Sequence, residues 1–170
     1  TEKHEGEAIN ILEAEDEKEE AEFVANNLNK FGRGECAVLY RTNAQSRAIE
    51  EVLVRWGIPY QLIGGTRFYE RAEIKDCLAY LRLVANPSDS VAWQRIEKLG
   101  KRRLEKFRAA NFEQQNTVEL LDKILDAVGY LDLYKEEDEE DLMRLENIKE
   151  LRSVAEEYPV LGEFLEIVAL

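Results

Sequence analysis

One junction constrains this chain more than any other stretch: Ala37-Val38-Leu39-Tyr40, followed at once by Arg41-Thr42-Asn43-Ala44-Gln45-Ser46-Arg47. The first part is a short apolar run bounded by Gly34 and Glu35, the pattern of a strand buried in a parallel sheet. Thr42 and Gln45 have capping-box spacing, which predicts a helix carrying Ala48, Ile49, Val52, Leu53 and Trp56 on one face. Arg41 and Asn43 would then stand where a strand gives way to a helix. Open α/β sheets collect ligands at that edge, and helix N-termini there attract anions. Two readings stay open: an ordinary strand and capped helix with Arg41 and Arg47 solvated, or a rim that holds phosphate.

The flanking segments repeat the alternation. Residues 7–13 read as a first strand, and the acid-rich Glu15–Glu20 opens a helix with Ala21, Val24, Leu28 and Phe31 facing a sheet. Gly32 and Gly34 end that helix, and Gly57 ends the next. Pro59 leads into a third strand, Tyr60–Ile63. The order β-α-β-α-β with short connections predicts a parallel sheet. Three strands are few for a sheet covered on both faces, so the sheet is expected to be completed outside this chain. Gly64-Gly65-Thr66-Arg67 follows on the same edge as Arg41. A helix is predicted from about Phe68 to Ala85, with Ile74, Cys77, Leu78, Leu81 and Val84 inward and Arg71, Lys75 and Arg82 outward.

Asn86-Pro87 breaks that helix, and Ser88 or Asp89 can cap the next, which sets a domain boundary after residue 86. Everything beyond reads as helical: 91–98, 101–112, a helix capped by Thr117 and ended by Gly129, a long amphipathic one over 138–158, and a last one after Pro159. The fold class expected is therefore α/β, an incomplete parallel subdomain of about three strands over 1–86 followed by an all-α subdomain over 87–170.

Charge is distributed unevenly. Residues 41–108 hold 14 basic and 8 acidic side chains, leaving 9 basic and 28 acidic elsewhere, for a net charge of −13. A basic middle between acidic ends marks one face for phosphate and others for solvent or protein. His4 is the only histidine, which excludes a His-based metal site or nucleophile triad. Cys36 and Cys77 read as reduced, buried thiols of a cytoplasmic protein, and no apolar run approaches the ~20 residues that cross a bilayer. There is no Gly-x-x-x-x-Gly-Lys-Ser/Thr loop and no acidic pair in an apolar strand to hold a metal ion.

Several blocks in order, 39–47, Ile58-Pro59-Tyr60, 64–71, Glu73-Ile74-Lys75-Asp76, 79–83, Ala85-Asn86-Pro87 and Arg144-Leu145-Glu146-Asn147-Ile148, resemble the second motor half of the UvrD/PcrA/Rep group of superfamily 1 DNA helicases. The resemblance implies a partial RecA-like motor domain over 1–86 and the inserted helical domain over 87–170, within an ATP- and Mg-dependent 3′→5′ DNA helicase. It implies no catalytic residue, cofactor or metal in this chain, which alone is expected not to hydrolyse ATP. Arg41, Asn43 and Arg67 match positions assigned to single-stranded DNA. Lys101, Arg102 and Arg103, beside Gly100, fall where the family contacts duplex. The chemistry is sound, since guanidinium and amide groups bond phosphate and sugar oxygens without reading sequence. Tyr40 and Phe68 could stack bases but read as core, as do Trp56 and Trp93. The partners implied are single-stranded DNA and the duplex junction, the rest of the helicase chain, and proteins met through the helical half, with no membrane. A reading of a different class is a protein-interaction module without a nucleic-acid role, resting on the acidic stretch Asp132–Glu157. A helicase–nuclease relative is a further possibility within the helicase class.

Overall fold

The structure is a computed structural model that describes residues 8–31, 36–112 and 116–169. All regular structure among the described residues is helical. The three-strand parallel sheet expected over 1–86 is therefore not seen among the described residues, and the α/β assignment is corrected to all-α for them. Residues 8–14 and 36–40 and the stretch around 60–63 form no ladder. Several of their apolar side chains stand in solvent, with Ile9, Ile11, Leu39 and Ile63 at 92%, 94%, 93% and 87% exposure. The physical reason is that a strand cannot satisfy its own backbone. Without a neighbour to take its N–H and C=O groups, a short apolar run has nothing to pair with and no face to bury. Cys36, expected in the second strand, is exposed, whereas Cys77 is buried. Gly32, Gly34, Glu35 and His4 lie outside the described residues.

Contacts divide the chain into two compact units. The first comprises residues 1–39 and 48–60. It contains α1 (Glu17–Phe31) and most of α2 (Ser46–Arg55). Glu17, Glu19 and Glu20 occupy the first turn of α1, where the helix dipole favours acids, and Asp16 accepts the Glu19 N–H at 2.7 Å. The buried cluster is small: Ala21 and Ala25 against Ala48, Val52, Leu53 and Ile58. Of the predicted faces, Ala21, Ala48, Val52 and Leu53 are buried, with Leu28 and Ile49 packed against them, and they meet each other rather than a sheet. Gly57, at φ 62°, closes α2 as expected. Trp56, expected in the core, is 39% exposed.

The second unit comprises residues 40–47 and 61–170. A 3₁₀ turn over Phe68–Glu70 precedes α3 (Ala72–Ala85), followed by α4 (Ser90–Glu97), α5 (Lys101–Ala109), α6 (Thr117–Val128), α7 (Glu139–Glu157) and α8 (Leu161–Ile167). Helix α3 is the centre, packing on α4, α6, α7 and α8. Its Ile74, Cys77, Leu78 and Leu81 join one continuous core with Ile96, Leu121, Leu151 and Phe164. Capping follows the sequence at α4, whereas the cap expected at Thr117 falls one residue earlier. Asp89 accepts from Val91 and Ala92 at 3.0 and 2.9 Å, and Asp138 accepts from Glu140 and Asp141. At α6 the cap is Asn116, taking the Glu119 N–H at 2.8 Å, while Thr117 is buried as the first helical residue.

Candidate nucleic-acid interface

The helix expected from Phe68 to Ala85 is interrupted at Arg71, whose extended backbone (φ −63°, ψ 146°) separates the 3₁₀ turn from α3. That break changes where the side chain goes. Arg71, expected on the solvent face, is 8% exposed. Its Nη1 donates to the Asn43 carbonyl at 2.8 Å and to Asn147 Oδ1 at 2.7 Å. Nη2 donates to Ser46 Oγ at 2.9 Å, and Nε to the Thr66 carbonyl at 3.3 Å. The guanidinium also lies 5.3 Å from the centre of the buried Phe68 ring. One planar fork thus gathers the loop before α2, the turn before Arg67 and the middle of α7.

The loop has its own internal ties. Gln45 Oε1 accepts the backbone N–H of Arg41 at 2.9 Å and of Thr42 at 3.0 Å, the reach-back half of the predicted capping box. Ser46 Oγ donates to the Asn43 carbonyl at 2.9 Å. Arg47, 4% exposed, donates from Nε to Glu150 Oε1 on α7 at 2.5 Å. Asn147 is satisfied on both sides, since its Nδ2 donates to Glu73 Oε1 at 2.6 Å.

Of the residues singled out by sequence, Arg41 and Arg67 are exposed and Asn43 is half-buried, its Nδ2 3.6 Å from Met143 Sδ. Arg71 bonds the carbonyl of Asn43 and that of Thr66, next to Arg67, so the two segments carrying these three side chains are tied to one group. Lys101 and Arg102 are exposed in the first turn of α5. Arg103 differs from them, spending its guanidinium on the carbonyls of Gly129 and Leu99, both at 3.3 Å. The residues that sequence reasoning missed are Arg71, Ser46, Asn147 and Glu73. All four lie inside blocks that carried the family resemblance. No pattern in the sequence pairs residue 71 with residue 147.

A second polar group lies on α3. Asp76 accepts Arg95 Nε at 2.6 Å and the Tyr130 hydroxyl at 2.8 Å, and Tyr130 and Tyr134 share a hydroxyl contact at 3.0 Å. Burial raises the Asp76 carboxyl above the usual range, against the opposing pull of Tyr130 and Arg95. This group is internal and braces α3 against α4 and the segment after α6. No group of His, Cys, Asp and Glu side chains among the described residues is arranged to hold a metal ion.

The family model described as the UvrD-like helicase C-terminal domain matches residues 1–168. The chain is similar to the ATP-dependent DNA helicase PcrA of Staphylococcus aureus, at 40% identity over 172 residues. It is also similar to the protein of that name from Staphylococcus epidermidis, at 38%. In both cases 95% of this chain is covered but only 22% of the relative, so the chain spans about a fifth of their length. The match runs over nearly the whole chain, and the chain belongs to the UvrD-like helicase C-terminal domain family.

Proposed function

We propose that this chain supplies the strand-gripping part of an ATP-dependent 3′→5′ DNA helicase, and that Arg41, Asn43 and Arg67 contact the phosphodiester backbone of single-stranded DNA. The observation that carries this reading is the single Arg71 fork on the Asn43 and Thr66 carbonyls, with the Arg41 and Arg67 side chains left at the surface. Such a pair suits successive phosphates and reads no base. Residues up to 86 serve the motor and the helices after Pro87 serve as its accessory. Lys101 and Arg102 are the duplex-facing candidates on that accessory, while Arg103 has an internal role. ATP and Mg act elsewhere in a parent chain located in the cytoplasm, whose other motor parts are this segment's partners.

The test is titration of a labelled oligo-dT at several salt concentrations. Arg41→Ala is expected to weaken binding and to lower the slope of log K against log salt by about 0.7, one single-strand phosphate contact. An unchanged slope and affinity would remove Arg41 from the DNA contact. If the same variant instead weakened nucleotide binding in the parent enzyme, its guanidinium would belong to the ATP phosphates.

A further inference from the structure

We propose that Arg71 is the positioning residue of this interface: it holds the loop 41–47 and the turn at Thr66–Arg67 in one geometry, which it takes from helix α7 through Asn147. The inference rests on the reading of Arg41, Asn43 and Arg67 as backbone contacts, but its own content is the coupling.

Three observations carry it. The bonds from Arg71 go chiefly to the places that set loop conformation, two main-chain carbonyls and the hydroxyl of Ser46. A guanidinium presents five donors in a fixed plane, so carbonyls bonded to it are fixed relative to one another, which the rotatable ammonium of lysine would not achieve. Next, the far side of the fork is anchored on a rigid element: Asn147 is 3% exposed in a helix of 19 residues and is itself held by Glu73. Finally, the same loop has a second tie to the same helix, Arg47 to Glu150, three residues from Asn147 and so on the same side of α7. Two buried arginines therefore bind the grip loop to one stripe of one helix, and any shift of α7 along its axis moves both anchors together.

The experiment compares the wild-type chain with Arg71→Lys and Asn147→Ala by amide hydrogen exchange and by oligo-dT titration, with circular dichroism fixing the folded fraction. Exchange in peptides covering 41–47 is expected to rise on the order of tenfold in both variants while α4 and α6 stay near wild type. Oligo-dT affinity is expected to fall about three- to tenfold with the salt slope unchanged, because no phosphate contact is deleted. Wild-type exchange at 41–47 in both variants would overturn the proposal. So would binding that is weakened by Arg41→Ala yet untouched by either variant. Accelerated exchange, with binding indifferent to Arg41→Ala as well, would leave the coupling standing and remove the DNA reading instead. Should Arg71→Lys not fold, Ser46→Ala deletes one of its acceptors at a helix start that tolerates alanine, and the same two readouts apply.

Discussion

Two tyrosines show how much depends on a single hydroxyl. Tyr80 and Tyr130 meet edge to face at 6.3 Å, both fully buried. The Tyr130 hydroxyl bonds Asp76 and Tyr134, whereas that of Tyr80 has no partner among the described residues. Tyr80→Phe is therefore expected to leave thermal stability unchanged or raise it by up to about 1 kcal/mol, and Tyr130→Phe to lower it by about 1–3 kcal/mol, because Asp76 then loses a donor. Burial, with the nearby Asp76 charge adding to it, pushes the Tyr80 phenol up to about 12, and Tyr130 is raised too. Above pH 10 the unfolded chain releases these protons while the folded chain keeps them, so stability falls as pH rises toward 12. Alkaline denaturation followed by phenolate absorbance checks this, and Tyr80→Phe should flatten the slope. Arg71 carries the opposite lesson about reading a sequence. Continuous helical spacing over 68–85 puts it outward, and only the extended backbone at that one residue turns it in. Its partners lie as far as 76 positions away along the chain, a pairing that no local pattern encodes.

Helices were legible where their ends carry chemistry. Asp89, Gly57, Gly129 and the acidic start of α7 fall where the sequence puts them, because capping uses groups within three residues of one another. Replacing Asp89 by Ala should cost about 1 kcal/mol in a denaturant melt, since two first-turn N–H groups lose their acceptor. Gly129→Ala meets both a left-handed φ of 65° and an approach of 2.8 Å between the new methyl and Asp132 Oδ2. A loss of about 1 kcal/mol or more is expected, with the end of α6 exchanging faster. The strands failed for the complementary reason. An apolar run of four or five residues states only that it wants burial, and the partner that would make it a strand lies elsewhere in a chain or outside it.

At the scale of the molecule the two units differ in the depth of their cores. The second joins large side chains such as Tyr80, Tyr130, Phe68 and Phe164 in one cluster, while the first rests on alanines and a few aliphatics. Native-state hydrogen exchange should accordingly find α1 and residues 48–55 opening at lower free energy than α3 and α6, by several kcal/mol. Equal protection in both would contradict that ordering. Charge is the other whole-molecule property. The basic stretch 41–108 includes most of the cations discussed, yet only part of it is available to a partner. Arg47, Arg71, Arg95 and Arg103 are bonded to groups of the protein itself, which leaves Arg41, Lys101 and Arg102 among those at the surface.

Helix positions, caps, the basic centre and the family could all be read from residue order, because each depends on groups close together in the chain or on a run of matched blocks. The absence of a sheet among the described residues and the inward turn of Arg71 belonged to tertiary structure, as did the joining of residues 43, 66 and 147. Those outcomes are set by whether distant backbone groups find partners, and the free energy of such a meeting is not written in any short stretch of the chain.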